Sequence, residues 1–317
     1  MPASFSSSRF GVTALLAAML APAASAATMA YWRFEQGPAD ALVSKGAVPG
    51  GTAFHASVPD SSGNGNDLSV WETGGGAGFA YRANVGSAVI PQTGAANQFS
   101  IQNTGGGPAM FTSSTSALRT WTPSSFTFEA SIRPENGGWR TFIGRDSQGA
   151  YAGDPNLAAM YFQITPDSQL AFKYVDLDGV WHEAVSASGL ITGWNFNGGS
   201  PNDAPWQHVA AVSNGSTLTV YLDNGSGYTA VASSALGTGN TALSAGAGDG
   251  GDWDAGVFSV GRGLYGGGHG DRAYGLIDEI RISDVALSPS QFLNAIPEPG
   301  VGLLAALSLL GLRRRLR

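Results

Sequence analysis

Residues 126–133 alternate apolar and polar side chains, and this period of two constrains the fold more than any other feature of the sequence. Such alternation is typical of a strand with one buried and one polar face. Similar strand patterns recur in six further segments: residues 169–176, 180–185, 209–211, 218–222, 228–232 and 276–282. Asp-Gly and Asn-Gly sequences between several of them predict tight hairpins, because these residues accept positive φ. The pattern therefore predicts an all-β fold, an antiparallel two-sheet sandwich or jelly roll.

Composition supports this prediction. Glycine accounts for 46 of 317 residues, about twice the usual share of about 7%, and it disfavours a helical bundle because it costs about 1 kcal/mol against Ala inside a helix. The hydrophobic content of 43% is sufficient for a packed core. The absence of Cys excludes disulfides, thiolate metal sites and a Cys nucleophile. One helix of about two turns is predicted over Ser288–Asn294, where Pro289 and Gln291 complete a capping-box pattern.

Three Gly-rich segments are predicted to be long loops: Ser188–Asp203, Ser233–Ala255 and Gly263–Asp271. Loops of this length in a compact domain are usually mobile or functional.

The first 26 residues are predicted to be a secretory signal peptide. Arg9 supplies the positive charge, an apolar run follows, and Ala24 and Ala26 form an A-x-A cleavage site. A short membrane anchor is the alternative, but about 11 apolar residues are too few to span about 30 Å of hydrocarbon.

Residues 295–317 have three parts: a Pro-Glu-Pro motif, an apolar run expected to form a short transmembrane helix, and an Arg cluster. The first is Pro297, Glu298 and Pro299, and the last includes Arg313, Arg314 and Arg315. This arrangement resembles the PEP-CTERM sorting signal of Gram-negative bacteria. The resemblance implies transient anchoring in the inner membrane, removal of the tail by an exosortase-type protease, and delivery to the cell surface or exopolysaccharide matrix. An ordinary tail anchor is the alternative.

Between these two segments the chain is acidic. The whole sequence has 16 Lys and Arg against 23 Asp and Glu, and residues 27–296 retain 11 against 22, a net charge of −11. A surface with this charge repels phosphate backbones, so nucleic acid is excluded as a partner.

Seven segments of the central region, taken in order, resemble the laminin-G-like jelly roll of the concanavalin A-like lectin/glucanase fold. They are Met29–Glu35, Asp60–Leu68, Phe126–Arg133, Trp206–Ala210, Leu218–Gly225, Leu276–Ile282 and Ala286–Ser288. The resemblance implies about fourteen strands in two sheets, with the first and last strands adjacent, in one domain over residues 27–294. The chain departs from the family by long insertions at 188–203 and 233–255. Because the fold hosts lectins, hydrolases and spacers, it does not define a function by itself.

The same resemblance implies a calcium site where the first and last strands meet. By position, Glu35 and Asp278 would supply carboxylates, and the loop beginning at Asp60 would add oxygen ligands of the kind that Ca²⁺ takes. The alternative is that Asp60 makes an Asx turn and Asp278 pairs with an Arg. A second acidic cluster stands at Asp249, Asp252 and Asp254.

No catalytic residues are predicted. The Glu-x-Asp-x-x-Glu run of retaining glycosidases on this fold is missing from the sequence, and Pro134 places Glu135 in a turn, away from Glu129. His208, in a Trp-x-His-Val-Ala strand, is interpreted as a structural histidine.

Sugars stack on exposed aromatic rings, while neighbouring polar groups bind their hydroxyls. The candidates for such contacts are Trp194, Trp253 and Tyr265, which fall in predicted loops. The other tryptophans considered, Trp32, Trp139 and Trp206, are assigned to strands and to the core. The sequence thus predicts an exported, non-catalytic module that binds extracellular polysaccharide. A structural matrix or adhesion protein, and a glycoside hydrolase or lyase with an unrecognised site, remain the alternatives.

Overall fold

A computed structural model describes residues 27–44, 56–71, 78–105, 107–246 and 255–296. The predicted signal peptide with Ala24 and Ala26, the whole sorting segment from Pro297, Trp253 and the cluster of Asp249, Asp252 and Asp254 lie outside the described residues. Among the residues described, no helix is long and apolar enough to cross a membrane.

The described chain is almost entirely β-structure, which confirms the predicted fold class. The strands are β1 (Thr28–Trp32), β2 (Leu68–Trp71), β3 (Phe79–Arg82), β4 (Ser100–Asn103), β5 (Ala109–Thr112), β6 (Ser125–Arg133), β7 (Arg140–Arg145), β8 (Met160–Ile164), β9 (Leu170–Val175), β10 (Trp181–Val185), β11 (Gln207–Asn214), β12 (Thr217–Asp223), β13 (Thr229–Ala235), β14 (Phe258–Val260), β15 (Gly263–Tyr265), β16 (Gly268–Gly270) and β17 (Leu276–Ser283). Three short 3-10 turns occupy Ala117–Thr120, Pro201–Asp203 and Pro289–Gln291.

Within the described ranges these strands form two large antiparallel sheets and one hairpin. The eight-stranded sheet runs β13-β12-β11-β6-β17-β4-β3, with β1 pairing the other half of β17. The seven-stranded sheet runs β10-β9-β8-β7-β14-β5-β2, and β15 pairs with β16 in a separate two-stranded sheet. The first and last strands are therefore neighbours, as the family resemblance implied.

The core lies between the inner faces of the two sheets. Alternation in β6 points Phe126 and Phe128 inward, where their rings lie 5.7 and 5.3 Å from that of Phe172 in β9. Phe258 of β14 stacks on Phe128 with ring centroids 6.0 Å apart. Each fully buried Phe contributes about 1.5–3 kcal/mol relative to leaving it exposed, so this cluster fixes which face of each sheet is internal.

The C-terminal segment 284–296 covers the outer face of the eight-stranded sheet. Leu287 and Phe292 pack there against Ala210 and Val212, and the Leu293 N–H donates to a carboxylate oxygen of Glu129 at 2.7 Å. These contacts explain why the predicted two-turn helix is wrong. Only Pro289–Gln291 is helical, capped by a bond from the Ser288 N–H to Gln291 Oε1, because the following residues turn inward.

Two loop predictions also need correction. The segment 263–271 is not a long loop, since β15 and β16 form a hairpin in it. Its turn residues Gly266 and Gly267 both have positive φ, of 58° and 79°, as a type I′ turn requires. The first residues of the predicted 233–255 loop belong to β13.

Candidate ligand-binding cleft

The outer face of the seven-stranded sheet carries a cleft of about 460 Å³. We refer to it as the aromatic cleft, and its lining residues are Trp139, Leu157, Tyr161, Gln163, Lys173, Trp181, Tyr265 and Asp271. Its volume is within the range of about 300–1,000 Å³ that is usual for small-molecule sites.

Strand alternation places the cleft floor. In β8, Phe162 points to the core, so its neighbours Tyr161 and Gln163 point outward. In β9, Phe172 is internal, and Lys173 is outward, directly opposite Tyr161 in the register. Polar and aromatic side chains of two paired strands thereby form one surface.

Tyr161 is a fixed part of this floor. Its ring is 3% exposed, its hydroxyl donates to the Leu264 carbonyl, and that hydroxyl also accepts from the Ala158 N–H at 2.6 Å. Burial raises the pKa of Tyr161 well above its usual value. The hydroxyl is therefore a neutral group that joins β8 to the β15–β16 hairpin.

The β15–β16 hairpin forms one wall and presents Tyr265, which is 52% exposed. Its base is anchored by His269, whose Nε2 lies 2.6 Å from Asp146 Oδ2, with both side chains fully buried. The main chain of Tyr265 also forms an isolated antiparallel β-bridge with Leu157. An exposed ring on an anchored hairpin is a preorganised platform.

Two further indole rings complete the aromatic surface. Trp139, 43% exposed, has the Lys173 ammonium 5.4 Å from its ring centroid. The ring of Trp181 lies 5.6 Å from that of Tyr151 and 6.3 Å from that of Tyr161. Packing of this kind holds the rings in place while Trp139 keeps a large accessible area.

The charged groups of the cleft have partners outside the lining. Lys173 Nζ lies 3.3 Å from Glu183 Oε2 on the neighbouring strand β10. Burial raises the pKa of Asp271, and the nearby Arg140 guanidinium opposes that shift. The cleft thus combines aromatic faces with a hydrogen-bond donor, an acceptor and the amide of Gln163.

Of the predicted ligand-contacting residues, the structure brings only Tyr265 to this cleft. Trp194 is 7% exposed, because its main chain bonds to Pro134 and Asn136 and draws the 188–203 segment inward. Trp253 lies outside the described residues.

The assignment of Trp32, Trp139 and Trp206 to strands and core was correct only for Trp32, which is fully buried in β1. Trp139 precedes β7 and lines the cleft. Trp206 precedes β11, is half-buried, and donates from Nε1 to Asn84 Oδ1 at 2.9 Å. The Gly137-Gly138 pair before Trp139 was the available signal, because a turn there releases the ring from strand alternation.

The residues predicted to bind calcium have separate partners. Glu35 accepts main-chain N–H groups of Gln98 and Phe99, and Asp60 accepts those of Tyr31, Ser62 and Asn66.

Asp278 is fully buried and accepts from Asn97 Nδ2 at 2.8 Å. Across the described ranges, no group of three or more His, Asp or Glu side chains is placed to hold a metal ion. The calcium ion stays a prediction.

The residues considered for catalysis do not line the aromatic cleft. Glu129 is buried under the C-terminal segment and pairs with Arg281 at 2.6 Å, and burial raises its pKa. Glu135 is 1% exposed and pairs with Arg140 at 2.7 Å. His208 Nδ1 lies 2.8 Å from Ser131 Oγ, and burial lowers its pKa, in keeping with a structural histidine.

A two-sheet antiparallel sandwich with a cleft on one outer face defines an all-β, lectin-like class of domain. A family model described as the concanavalin A-like lectin/glucanases superfamily matches residues 104–292, which is more than half of the sequence. The chain belongs to this superfamily. No curated protein sequence gives a significant match.

Several solved structures are similar to parts of this chain at low identity. Domain 4 of AbnA, a GH43 extracellular arabinanase from Geobacillus stearothermophilus solved with arabinotriose, is 18% identical, with a TM-score of 0.46 over 86% of this chain and 99% of that one. The binding domain of Paraclostridial Mosquitocidal Protein 1 is 15% identical, with a TM-score of 0.45 over 74% of this chain. This chain spans 48% of that toxin domain.

A CBM40 of the Ruminococcus gnavus IT-sialidase, bound to α2,3-sialyllactose, is 11% identical, with a TM-score of 0.39 over 55% of this chain and 83% of that one. Similarities at this level carry no argument about the ligand of the present protein.

Proposed function

We propose that the protein is a non-catalytic carbohydrate-binding module, with the aromatic cleft as its binding site. The observation that carries this proposal is the convergence of exposed rings, Trp139 and Tyr265, with Lys173, Gln163 and Asp271 around one open cleft. Sugar C–H groups bury against aromatic faces, while hydroxyls need donors and acceptors at the edge.

The number of carboxylates in the cleft lining favours binding over hydrolysis. Asp271 is the one carboxylate among the eight lining residues, all of which are described. Glycoside hydrolysis ordinarily takes two carboxylates, about 5–9.5 Å apart, on either side of the scissile bond. A single acid with a raised pKa suits hydrogen bonding to a sugar hydroxyl.

In this proposal the two terminal segments direct the module out of the cytoplasm. Residues 1–26 would direct export, and residues 295–317 would anchor the chain transiently in the inner membrane until an exosortase-type protease removes them. The mature protein would then reach the cell surface or extracellular matrix, where polysaccharide is the partner. The acidic balance of residues 27–296 suits a soluble matrix component.

The test is a glycan-array assay with the full-length protein and with the single variants Trp139→Ala and Tyr265→Ala. Each variant loses the contact of one ring with the sugar, and its affinity is expected to fall at least tenfold. A tenfold fall corresponds to about 1.4 kcal/mol of binding free energy. Phe196→Ala is the matched control, because Phe196 is 44% exposed but does not line the cleft. Its affinity should match that of the unmodified protein.

Parallel arrays with Ca²⁺ and with chelator test the predicted calcium ion, and release of reducing ends tests the hydrolase alternative. Absence of binding to every glycan would refute the proposal and leave the structural or adhesive role as the explanation. Unchanged binding by Trp139→Ala would show that sugars bind elsewhere.

A further inference from the structure

The cationic group of the aromatic cleft is paired with a carboxylate on the neighbouring strand. Lys173 is the one cationic side chain among the eight lining residues. Its side chain is 18% exposed, and its Nζ lies 3.3 Å from Glu183 Oε2, on a side chain that is 52% exposed. Strand register fixes this pair, because Glu183 in β10 lies directly opposite Lys173 in β9.

The cleft lining also holds one carboxylate. It is Asp271, and it opposes ionisation of the Tyr161 hydroxyl at the floor. Burial raises the pKa of Asp271, and the nearby Arg140 guanidinium lowers it by a smaller amount. Arg140 is itself paired with Glu135 at 2.7 Å.

A charged sugar would meet an unfavourable site here. A uronate or sulfate group entering the cleft would lose hydration, and the cation it could approach is already paired. It would also face Asp271 and the net charge of −11 on residues 27–296. Neutral hydroxyls cost far less to dehydrate than an ionised group, and both Lys173 and Asp271 can hydrogen-bond them.

We propose that the cleft selects uncharged glycans, and that Glu183 sets this selectivity by neutralising Lys173. This inference rests on the proposed carbohydrate-binding function. It makes Glu183 a specificity-determining residue that does not itself line the cleft.

The experiment compares matched probe pairs on the full-length protein: methyl-esterified and de-esterified homogalacturonan, and xylan with and without glucuronate branches. Three proteins are used: the unmodified chain, Glu183→Gln and Asp167→Asn. Asp167 is exposed in the turn between β8 and β9 and outside the lining, so its variant removes the same unit of charge elsewhere. Thermal unfolding confirms that all three are folded.

The unmodified protein is expected to bind the neutral member of a pair and reject the acidic one. Glu183→Gln is expected to bind the acidic member about two- to fivefold more tightly, the range set by the energy of one exposed ion pair. That gain should shrink between about 20 mM and about 500 mM NaCl because salt screens it. Asp167→Asn should show less than half of the gain.

The outcomes separate this inference from the function on which it rests. Acidic members bound as well as neutral ones would overturn the selectivity while leaving carbohydrate binding intact. A Glu183→Gln variant no better than Asp167→Asn for acidic probes would overturn the role of Glu183. No binding of any glycan would overturn the carbohydrate-binding function and the selectivity with it.

Discussion

Replacing Asp278 with Asn tests a buried polar pair at the eight-stranded sheet. The Asp278 carboxyl is fully buried in β17, with Oδ2 bonded to Asn97 Nδ2 at 2.8 Å. Within the described part of the chain, the other oxygen of each head group, Asp278 Oδ1 and Asn97 Oδ1, has no hydrogen-bond partner. A protonated Asp278 or an Asn side chain at this position would add one donor to this buried pair.

Burial first, and the neighbouring Glu279 carboxylate second, raise the pKa of Asp278 well above its usual value. A raised folded-state pKa means that the folded protein binds a proton which the unfolded chain has lost. The free energy of unfolding therefore falls as pH rises from the unfolded-state pKa of about 3.9 towards the folded-state pKa, by about 1.4 kcal/mol per pH unit. Asp278→Asn removes this dependence, because its amide does not titrate.

The assay is urea unfolding of the unmodified protein and Asp278→Asn at several pH values above 4, in chelator. The expected result is that the variant gains about 1.4 kcal/mol of relative stability for each pH unit until the folded-state pKa is passed. Asp167→Asn, which changes an exposed carboxylate, should run parallel to the unmodified protein. Parallel curves for Asp278→Asn as well would refute a raised pKa at Asp278.

Three further substitutions test the supports of the fold and the cleft. Arg145→Met removes a fully buried guanidinium that donates to five main-chain carbonyls. Urea unfolding should show that the free energy of unfolding falls by about 3–5 kcal/mol. A fall under about 1 kcal/mol would contradict this role. Gly267→Ala places a Cβ at φ 79° where no atom lies within 3.4 Å, so backbone strain alone should lower stability by about 1–2 kcal/mol; an unchanged thermal midpoint would argue against the type I′ turn. His269→Ala leaves Asp146 buried without its imidazole partner. This should lower the free energy of unfolding by about 2–3 kcal/mol and speed hydrogen exchange in β15 and β16. Unaltered exchange would show that the hairpin is held by other contacts.

The fold was largely predictable because its signals are local. Alternation along β6 defines one inner and one outer face, and the turn after β9 has the Asp-Gly sequence that a hairpin needs. Alternation and turn sequences depend on neighbouring residues, and each is visible without knowledge of distant contacts. The pairing of β1 with β17 is long-range, and it was implied by the resemblance to the laminin-G-like family.

The cleft was not predictable in the same way, because it joins four parts of the chain. Tyr161 and Lys173 follow strand alternation, so their outward direction was available from the sequence, but their pairing required the register of β8 and β9. Trp139 and Trp194 show the limit of loop assignment. The ring expected in the core is 43% exposed, and the ring expected in solvent is 7% exposed, since contacts with distant segments decide which loop residues are covered.

One outer face of the sandwich is covered and contributes to stability, and the other carries the proposed binding site. Residues 284–296 cover the eight-stranded sheet and enclose its buried polar pairs, among them Glu129 with Arg281, so substitutions there should act on unfolding. The seven-stranded sheet carries the aromatic cleft, whose exposed rings are removable at small cost to the core. The described chain leaves the sandwich at Ile296, which is 85% exposed, next to Ala295 on the covered face. Under the proposed function, a tether attached beyond this residue would begin on the side opposite the cleft, so that anchoring and ligand binding would not compete for one surface.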